Sequence, residues 1–271
     1  MTLIDRYLTG NRNRRAEGAG AGAGAGRSAE AFSALFDPTT FRHIERLGIG
    51  PGWRCWEVGA GGTSVVSWLA KRVGPTGRVL ATDADISWQT SAARPPVEVR
   101  THDVGVDAAP AQGGFDLVHA RLVLAGAADR ELALRSMIRA LRPGGRLLVE
   151  EADPALQPLP CPDEYGPAQR LANRLRHALL AQRGAESAYG RGLPRLLREA
   201  GLRQVEADAY FPLGSVGCVA LEAATVQQAR AALTSAGLAT DEEITTHLAN
   251  IAAEPMDLAA APLISAWGRK P

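Results

Sequence analysis

The sequence predicts an α/β fold: a Rossmann-like, doubly wound, mostly parallel seven-stranded sheet with a helical cover. Three observations carry this. Apolar runs of strand length, such as Trp53–Val58 and Arg78–Asp83, alternate with helix-length amphipathic segments such as Ser64–Val73 and Arg130–Leu141. Such alternation builds a parallel sheet flanked by helices on both faces. The first apolar run passes straight into Gly59-Ala60-Gly61-Gly62 and then a helix, a turn at which ligands approach the backbone. The rhythm breaks after Asp153, where Pro154, Pro158, Pro160 and Pro162 precede a long helical pattern over Tyr165–Arg183.

The 271 residues suffice for one large α/β domain with a small cover. A net charge of +1 supplies no long-range field toward nucleic acid or an anionic membrane. No apolar run is long enough to span a bilayer, and MTLIDRYLTG lacks the basic-then-apolar order of a signal peptide. The expectation is a cytoplasmic protein without nucleic-acid or membrane partners. Cys55, Cys161 and Cys218 are widely spaced, with no CxxC or Cys/His pattern, so no metal site is predicted.

Residues 1–28 read as a flexible N-terminal segment. Leu3, Ile4, Tyr7 and Leu8 can share a helical face, but the alternating Gly/Ala tract from Gly18 to Gly26 buries little and loses much entropy on ordering. Residues 29–271 form the domain, with a helical cover inserted over about residues 154–190. Within Ser28–Leu47, Phe32, Leu35 and Phe36 fall at helical spacing, and Asp37-Pro38-Thr39 is expected to break one helix and cap the next. Gly74-Pro75-Thr76-Gly77 ends the helix Ser64–Val73. A helix is expected near Ser87, and strands over Val97–His102, Phe115–Ala120 and Arg146–Glu150. Beyond the cover, helices are expected at Leu193–Ala200, Val219–Ser235 and Asp241–Ala252, and strands at Gln204–Phe211 and Leu263–Gly268.

The glycine turn lacks the third glycine of GxGxxG, and Glu57 stands two residues before it. A carboxylate there repels a pyrophosphate and favours the ammonium and sulfonium charges of S-adenosylmethionine; without a ligand the motif is only a tight strand–helix turn. Asp83 closes the second strand, where an acidic residue accepts hydrogen bonds from ribose hydroxyls. Asp85 reads as a helix cap. His102-Asp103-Val104 closes the third strand, where a carboxylate can accept from the adenine amine and the next backbone N–H can donate to a ring nitrogen.

Glu57-Val58-Gly59-Ala60-Gly61-Gly62 resembles the first motif of class I S-adenosylmethionine-dependent methyltransferases. Phe115–Arg121 resembles the fourth, and Leu141–Leu147 the next. The markers fall in family order over Trp53–Glu151, and the chain looks most like bacterial small-molecule methyltransferases related to ubiquinone and menaquinone biosynthesis or actinomycete secondary metabolism. The resemblance implies S-adenosylmethionine as cofactor, bound by Glu57, Gly59, Ala60, Gly61, Ser64, Asp83, Ala84, Asp103, Val104 and Ala120. One departure is Leu124-Ala125-Gly126-Ala127, where relatives often carry a histidine.

Methyl transfer from a sulfonium needs alignment and desolvation, and a base only where the acceptor must lose a proton. His119, His177 and Tyr189 are candidates, beside Tyr7, Tyr165 and the Glu150/Glu151/Asp153 cluster; none stands out. Tyr7, Phe32, Phe36 and Tyr165 are expected to cover a small-molecule acceptor, from the same subunit or from a homodimer partner. The same fold also permits a cofactor-binding cyclase or a non-catalytic cofactor-binding protein.

Overall fold

The computed structural model describes residues 23–86, 93–157, 166–183, 188–253 and 256–271. In chain order the elements are α1 (Ala23–Arg46), β1 (Arg54–Val58), α2 (Ser64–Val73), β2 (Arg78–Asp83), β3 (Val97–Thr101), β4 (Phe115–Arg121), α3 (Arg130–Ala140) and β5 (Leu141–Ala152). Then follow α4 (Pro167–Arg183), α5 (Leu193–Glu199), β6 (Arg203–Tyr210), α6 (Val216–Ser235), α7 (Asp241–Ala253) and β7 (Leu263–Arg269). The seven strands lie in the order β3-β2-β1-β4-β5-β7-β6. All pairs are parallel except those of β7, which runs antiparallel between β5 and β6. The order reverses at β1 and β4, so their carboxyl ends frame the crevice where such sheets bind ligands.

Each sheet face has its own core. Trp56, Val58, Val118 and Val149 point toward α3 and α5, where Leu134, Met137, Leu193 and Leu197 meet them. Cys55, Leu117 and Leu148 point the other way, toward Ile44 of α1 and Val66 and Leu69 of α2. This period-2 division explains why β1 is apolar on both sides. A further helical layer of α1, α4, α6 and α7 encloses Phe32, Phe36, Ala172, Cys218 and Leu221 above Leu122 and Leu263.

Several boundaries differ from the sequence expectation. α1 begins at Ala23, inside the Gly/Ala tract, and runs unbroken through Pro38. Asp37 and Thr39 do not break and cap it, because Asp37 is turned inward to Arg121 at 2.8 Å and Thr40 inward to Glu150 at 2.5 Å. These buried contacts offset the hydrogen bond that proline removes. β5 is assigned from Leu141 because Leu141 pairs with Phe115; Arg142–Gly145 then forms an irregularity before Arg146 pairs with Leu117. The helix expected near Ser87 lies outside the described residues.

Candidate cofactor site and the buried polar row beneath it

The glycine turn is held by backbone geometry. Gly59 and Gly61 have φ of 62° and 61°, a left-handed region that side chains disfavour. Ala60 N–H donates to the Thr82 carbonyl at 3.0 Å, tying the turn to β2. Gly61 N–H donates to Asp83 Oδ2 at 2.9 Å, and Asp85 N–H to Asp83 Oδ1 at 3.1 Å. One carboxylate therefore fixes the turn after β1 and the turn after β2 together. Asp85 is thus a backbone donor to Asp83.

The ground beside the turn is open and polar. A side chain at Gly62 would meet nothing within 4 Å. Thr63, before α2, makes no side-chain capping bond, so the first N–H groups of the helix face the turn without a side-chain acceptor there. Ser64 and Ala84 are exposed. At the next strand end, Asp103 Oδ1 accepts from Gly105 N–H at 2.9 Å, while Asp103 N–H donates to Asp107 Oδ2 at 2.7 Å. Gly59, Ala60, Gly61, Ser64, Asp83, Ala84 and Asp103 thus gather on the carboxyl edge of β1–β3. Val104 and Ala120 have side chains buried in the apolar core, so only their main chains can face a ligand.

Glu57 departs from its expected role as an open anion at the strand end. It is 2% exposed, and its Oε2 lies 2.6 Å from His119 Nδ1. His119 Nε2 lies 3.3 Å from Glu150 Oε2. The row continues: Thr40 donates to Glu150 Oε2 at 2.5 Å, Ser265 donates to Glu150 Oε1 at 2.6 Å, and Arg121 donates to Thr40 at 3.0 Å. His43 Nδ1 sits 3.6 Å from Glu150 Oε1, and its Nε2 2.9 Å from Asp208 Oδ2. Residues of five strands and α1 thus form one polar row across a sheet face.

Charge explains the row. Burial alone lowers the His119 pKa, but Glu57 and Glu150 outweigh it and push it up to about 9. Burial opposes ionisation of Glu150, yet His119, His43 and Arg121 hold its carboxyl below the usual range. His119, one of several candidate bases, is fully buried between two carboxylates that favour its protonated form. The signal for the row was present in sequence. Glu57, His119 and Glu150 each sit on the apolar face of a strand, two residues from Cys55, Leu117 and Leu148. His43 and Thr40, at helical spacing, were missed.

A second arrangement closes the β4 and β5 ends. Glu151 Oε1 accepts from the N–H groups of Val123, Leu124 and Ala125 at 3.0, 2.6 and 3.3 Å. Leu122, entering that loop, has φ of 57°, a strained value for a side-chain-bearing residue. Burial pushes the Glu151 carboxyl up to about 7, against the pull of the three N–H groups and Arg130. Arg130 donates to the Ala125 carbonyl at 2.6 Å and lies over the Tyr189 ring at 4.7 Å. Tyr189 is half-buried and Glu151 is 2% exposed. Beside them, Asp153 takes three hydrogen bonds from Arg191, one from its backbone N–H.

The other candidates separate. His177 is on the exposed side of α4. Phe32 and Phe36 are fully buried, 4.7 Å apart, with Arg121 over the Phe32 ring and Tyr210 edge-on to Phe36. They are core residues of the helical layer, not an exposed cover. Tyr7, Tyr165 and Cys161 lie outside the described residues. Among the described residues no group of His, Cys, Asp and Glu could hold a metal ion, and no helix is long and apolar enough to cross a membrane.

Comparison with known proteins bears on the family and the fold. A family model described as a methyltransferase domain matches residues 24–207. A ubiquinone/menaquinone biosynthesis C-methyltransferase of Ectopseudomonas mendocina (strain ymp) is 34% identical over 123 residues, covering 43% of this chain and 48% of the relative. The chain therefore spans about half the length, or less, of the curated relatives it matches. Among solved structures, one described as a methyltransferase from an antibiotic biosynthesis pathway of Anabaena variabilis aligns with a TM-score of 0.58 at 16% identity, covering 86% of this chain and 97% of that one. The Haemonchus contortus phosphoethanolamine N-methyltransferase 2, solved with phosphomonomethylethanolamine and S-adenosylhomocysteine, aligns with a TM-score of 0.51 at 14% identity, covering 89% and 56%. The family match over most of the chain and the glycine turn at the switch point lead to one assignment: the chain belongs to the class I S-adenosylmethionine-dependent methyltransferases, with S-adenosylmethionine as cofactor.

Proposed function

We propose that this protein transfers the methyl group of S-adenosylmethionine to oxygen, nitrogen or carbon of a small-molecule acceptor, in natural-product or cofactor biosynthesis. The observation that carries the reading is the match of a methyltransferase-domain model over residues 24–207, with the glycine turn of Gly59 and Gly61 at the point where the strand order reverses. Glu151 lies at the carboxyl end of β5, two strand positions from β1, roughly 10 Å at ordinary strand spacing. Gly59, Gly61 and the uncapped start of α2 hold the cofactor's amino-acid part, Asp83 its ribose, and Asp103 with the Val104 N–H its adenine. The bound cofactor supplies an electrophilic methyl on a good, neutral leaving group.

The protein's own work is alignment and exclusion of water. Glu151, buried with its Oε1 on three loop N–H groups, positions the loop after β4 at this edge rather than meeting an acceptor itself. Tyr189, fixed beneath Arg130, offers a hydroxyl and a ring edge next to it. α1 and α4 roof this edge, with Phe32 and Phe36 stiffening the roof from inside. The C-methyltransferase relative supports carbon among the possible acceptor atoms.

A panel of quinols, phenols and small amines, incubated with methyl-labelled S-adenosylmethionine, tests the proposal. One class should yield labelled product and an equal amount of S-adenosylhomocysteine. Glu151→Gln should lower kcat by loosening the loop that its Oε1 holds, while leaving S-adenosylhomocysteine affinity unchanged. A protein that binds the cofactor but methylates no class would contradict the reading.

A further inference from the structure

The opposite edge of the sheet, at the amino-terminal ends of β5 and β6 and the carboxyl end of β7, carries a cavity of about 600 Å³ that the methyl-transfer reading leaves without a role. His43, Arg46, Arg146, Gln204, Glu206 and Trp267 line it. Arg46 is exposed and Arg146 half-buried, and neither side chain makes an ion pair or hydrogen bond among the described residues. Elsewhere in the molecule exposed arginines commonly find carboxylates, as Arg72 does with Glu45 and Arg142 with Asp116. The rim carries two guanidinium groups against the single carboxylate of Glu206. Across Gln204 a smaller cavity of about 350 Å³ adds Arg203 and Arg269, so this edge is locally cationic in a chain of net charge +1.

The cavity is also shaped. The β6–β7 pairing shifts register between Arg203 and Glu206, and Gln204 has φ of 51° within that irregularity. Such a bulge re-aims side chains at the rim of a sheet. The half-buried Trp267 ring supplies one wall, with the buried His43 ring 5.0 Å from it and tilted by 32°. A planar group lying on this wall would bring an attached carboxylate to Arg46 and Arg146, the fork geometry that guanidinium recognises. His43 is also the outer end of the row that leads through Glu150 and His119 to Glu57, beneath the glycine turn.

We propose that this cavity is a second ligand site, for a planar carboxylate, and that His43 couples its occupancy to the cofactor edge through Glu150, His119 and Glu57. The coupling follows from contact. A ligand resting on His43 biases how that ring divides between Asp208 and Glu150, and Glu150 in turn shares His119 with Glu57. The site is separate from the acceptor site, so its test requires no turnover.

Calorimetry on the whole protein, with benzoate as the planar carboxylate and inorganic phosphate as the non-planar anion, tests the inference. Benzoate should bind saturably and more tightly than phosphate. Arg46→Ala/Arg146→Ala, whose melting temperature should match the wild type, should weaken it by about tenfold or more. Saturating benzoate should change S-adenosylhomocysteine affinity at least about threefold in the wild type and not in that variant. Absence of saturable binding, equal affinity in the double variant, tighter binding of phosphate, or an unmoved S-adenosylhomocysteine affinity with benzoate bound would each overturn the proposal.

Discussion

His119 Nδ1 lies 2.6 Å from Glu57 Oε2, with both side chains shut off from water beneath the glycine turn. The pair joins the strand that precedes the turn to its neighbour β4, and Glu150 completes it from the other side. The cofactor edge thus rests on a layer of matched buried charge. Such a layer is sensitive to the loss of one member, because the partners keep their desolvation cost.

Replacing His119 by leucine should therefore destabilise the protein by about 3–5 kcal/mol, since two buried carboxylates lose their cation. Glu57→Gln combined with His119→Leu should cost less than the sum of the two single changes. Urea denaturation of the three variants reads this directly, and strict additivity would show that the two side chains are not coupled.

Stability should follow pH in a defined direction. The folded His119 pKa is raised from 6.5 to about 9, so its contribution is fully present below about 6.5 and is lost as pH rises through about 9. On the order of 3 kcal/mol is at stake. Glu150 is depressed below its ordinary 4.5, so its contribution is present above that value and lost as pH falls through its folded pKa. Glu151, raised from 4.5 to about 7, adds a decline of similar size as pH rises from about 4.5 to 7, where the folded state holds the proton and the unfolded state releases it. Melting temperature against pH should fall on both sides of a mildly acidic maximum. In His119→Leu the alkaline loss near pH 9 should shrink.

Asp83→Ala should weaken S-adenosylhomocysteine binding by about 1.5–3 kcal/mol, because it removes charge-assisted acceptors and releases the Gly61 N–H. Calorimetry giving wild-type affinity in a folded variant would remove Asp83 from the site.

Much of this was legible beforehand because it is local. Alternating strands and helices, the glycine turn and the acidic strand ends are written in consecutive residues, and the boundaries of α2 coincide with those expected. What escaped is non-local. Pro38 reads as a break until Asp37 and Thr40 are seen facing Arg121 and Glu150 from the other half of the chain. Glu57 reads as an open anion until His119, two strand positions past Leu117, is placed opposite it. Glu151 stood within a cluster of three carboxylates, and only the fold shows that Glu150 belongs to the polar row, Asp153 to Arg191, and Glu151 to the loop after β4.

Phe32 and Phe36 separate a packing role from a role in covering the acceptor. Phe36→Ala should cost about 3–5 kcal/mol of stability, as expected for a fully buried aromatic, with S-adenosylhomocysteine affinity unchanged at temperatures where the variant is folded. A loss of stability below about 1 kcal/mol would contradict its place in the helical core.

The measurement that tests the central claim most directly is calorimetric titration of S-adenosylhomocysteine into wild type and Gly61→Val, each checked for a cooperative melt. Gly61 has φ of 61° and donates its N–H to Asp83, and a β-branched residue cannot hold that backbone. The account predicts one-to-one binding by the wild type and none by a folded Gly61→Val. Absence of binding to the wild type, or equal binding by both proteins, would contradict a cofactor site at this turn.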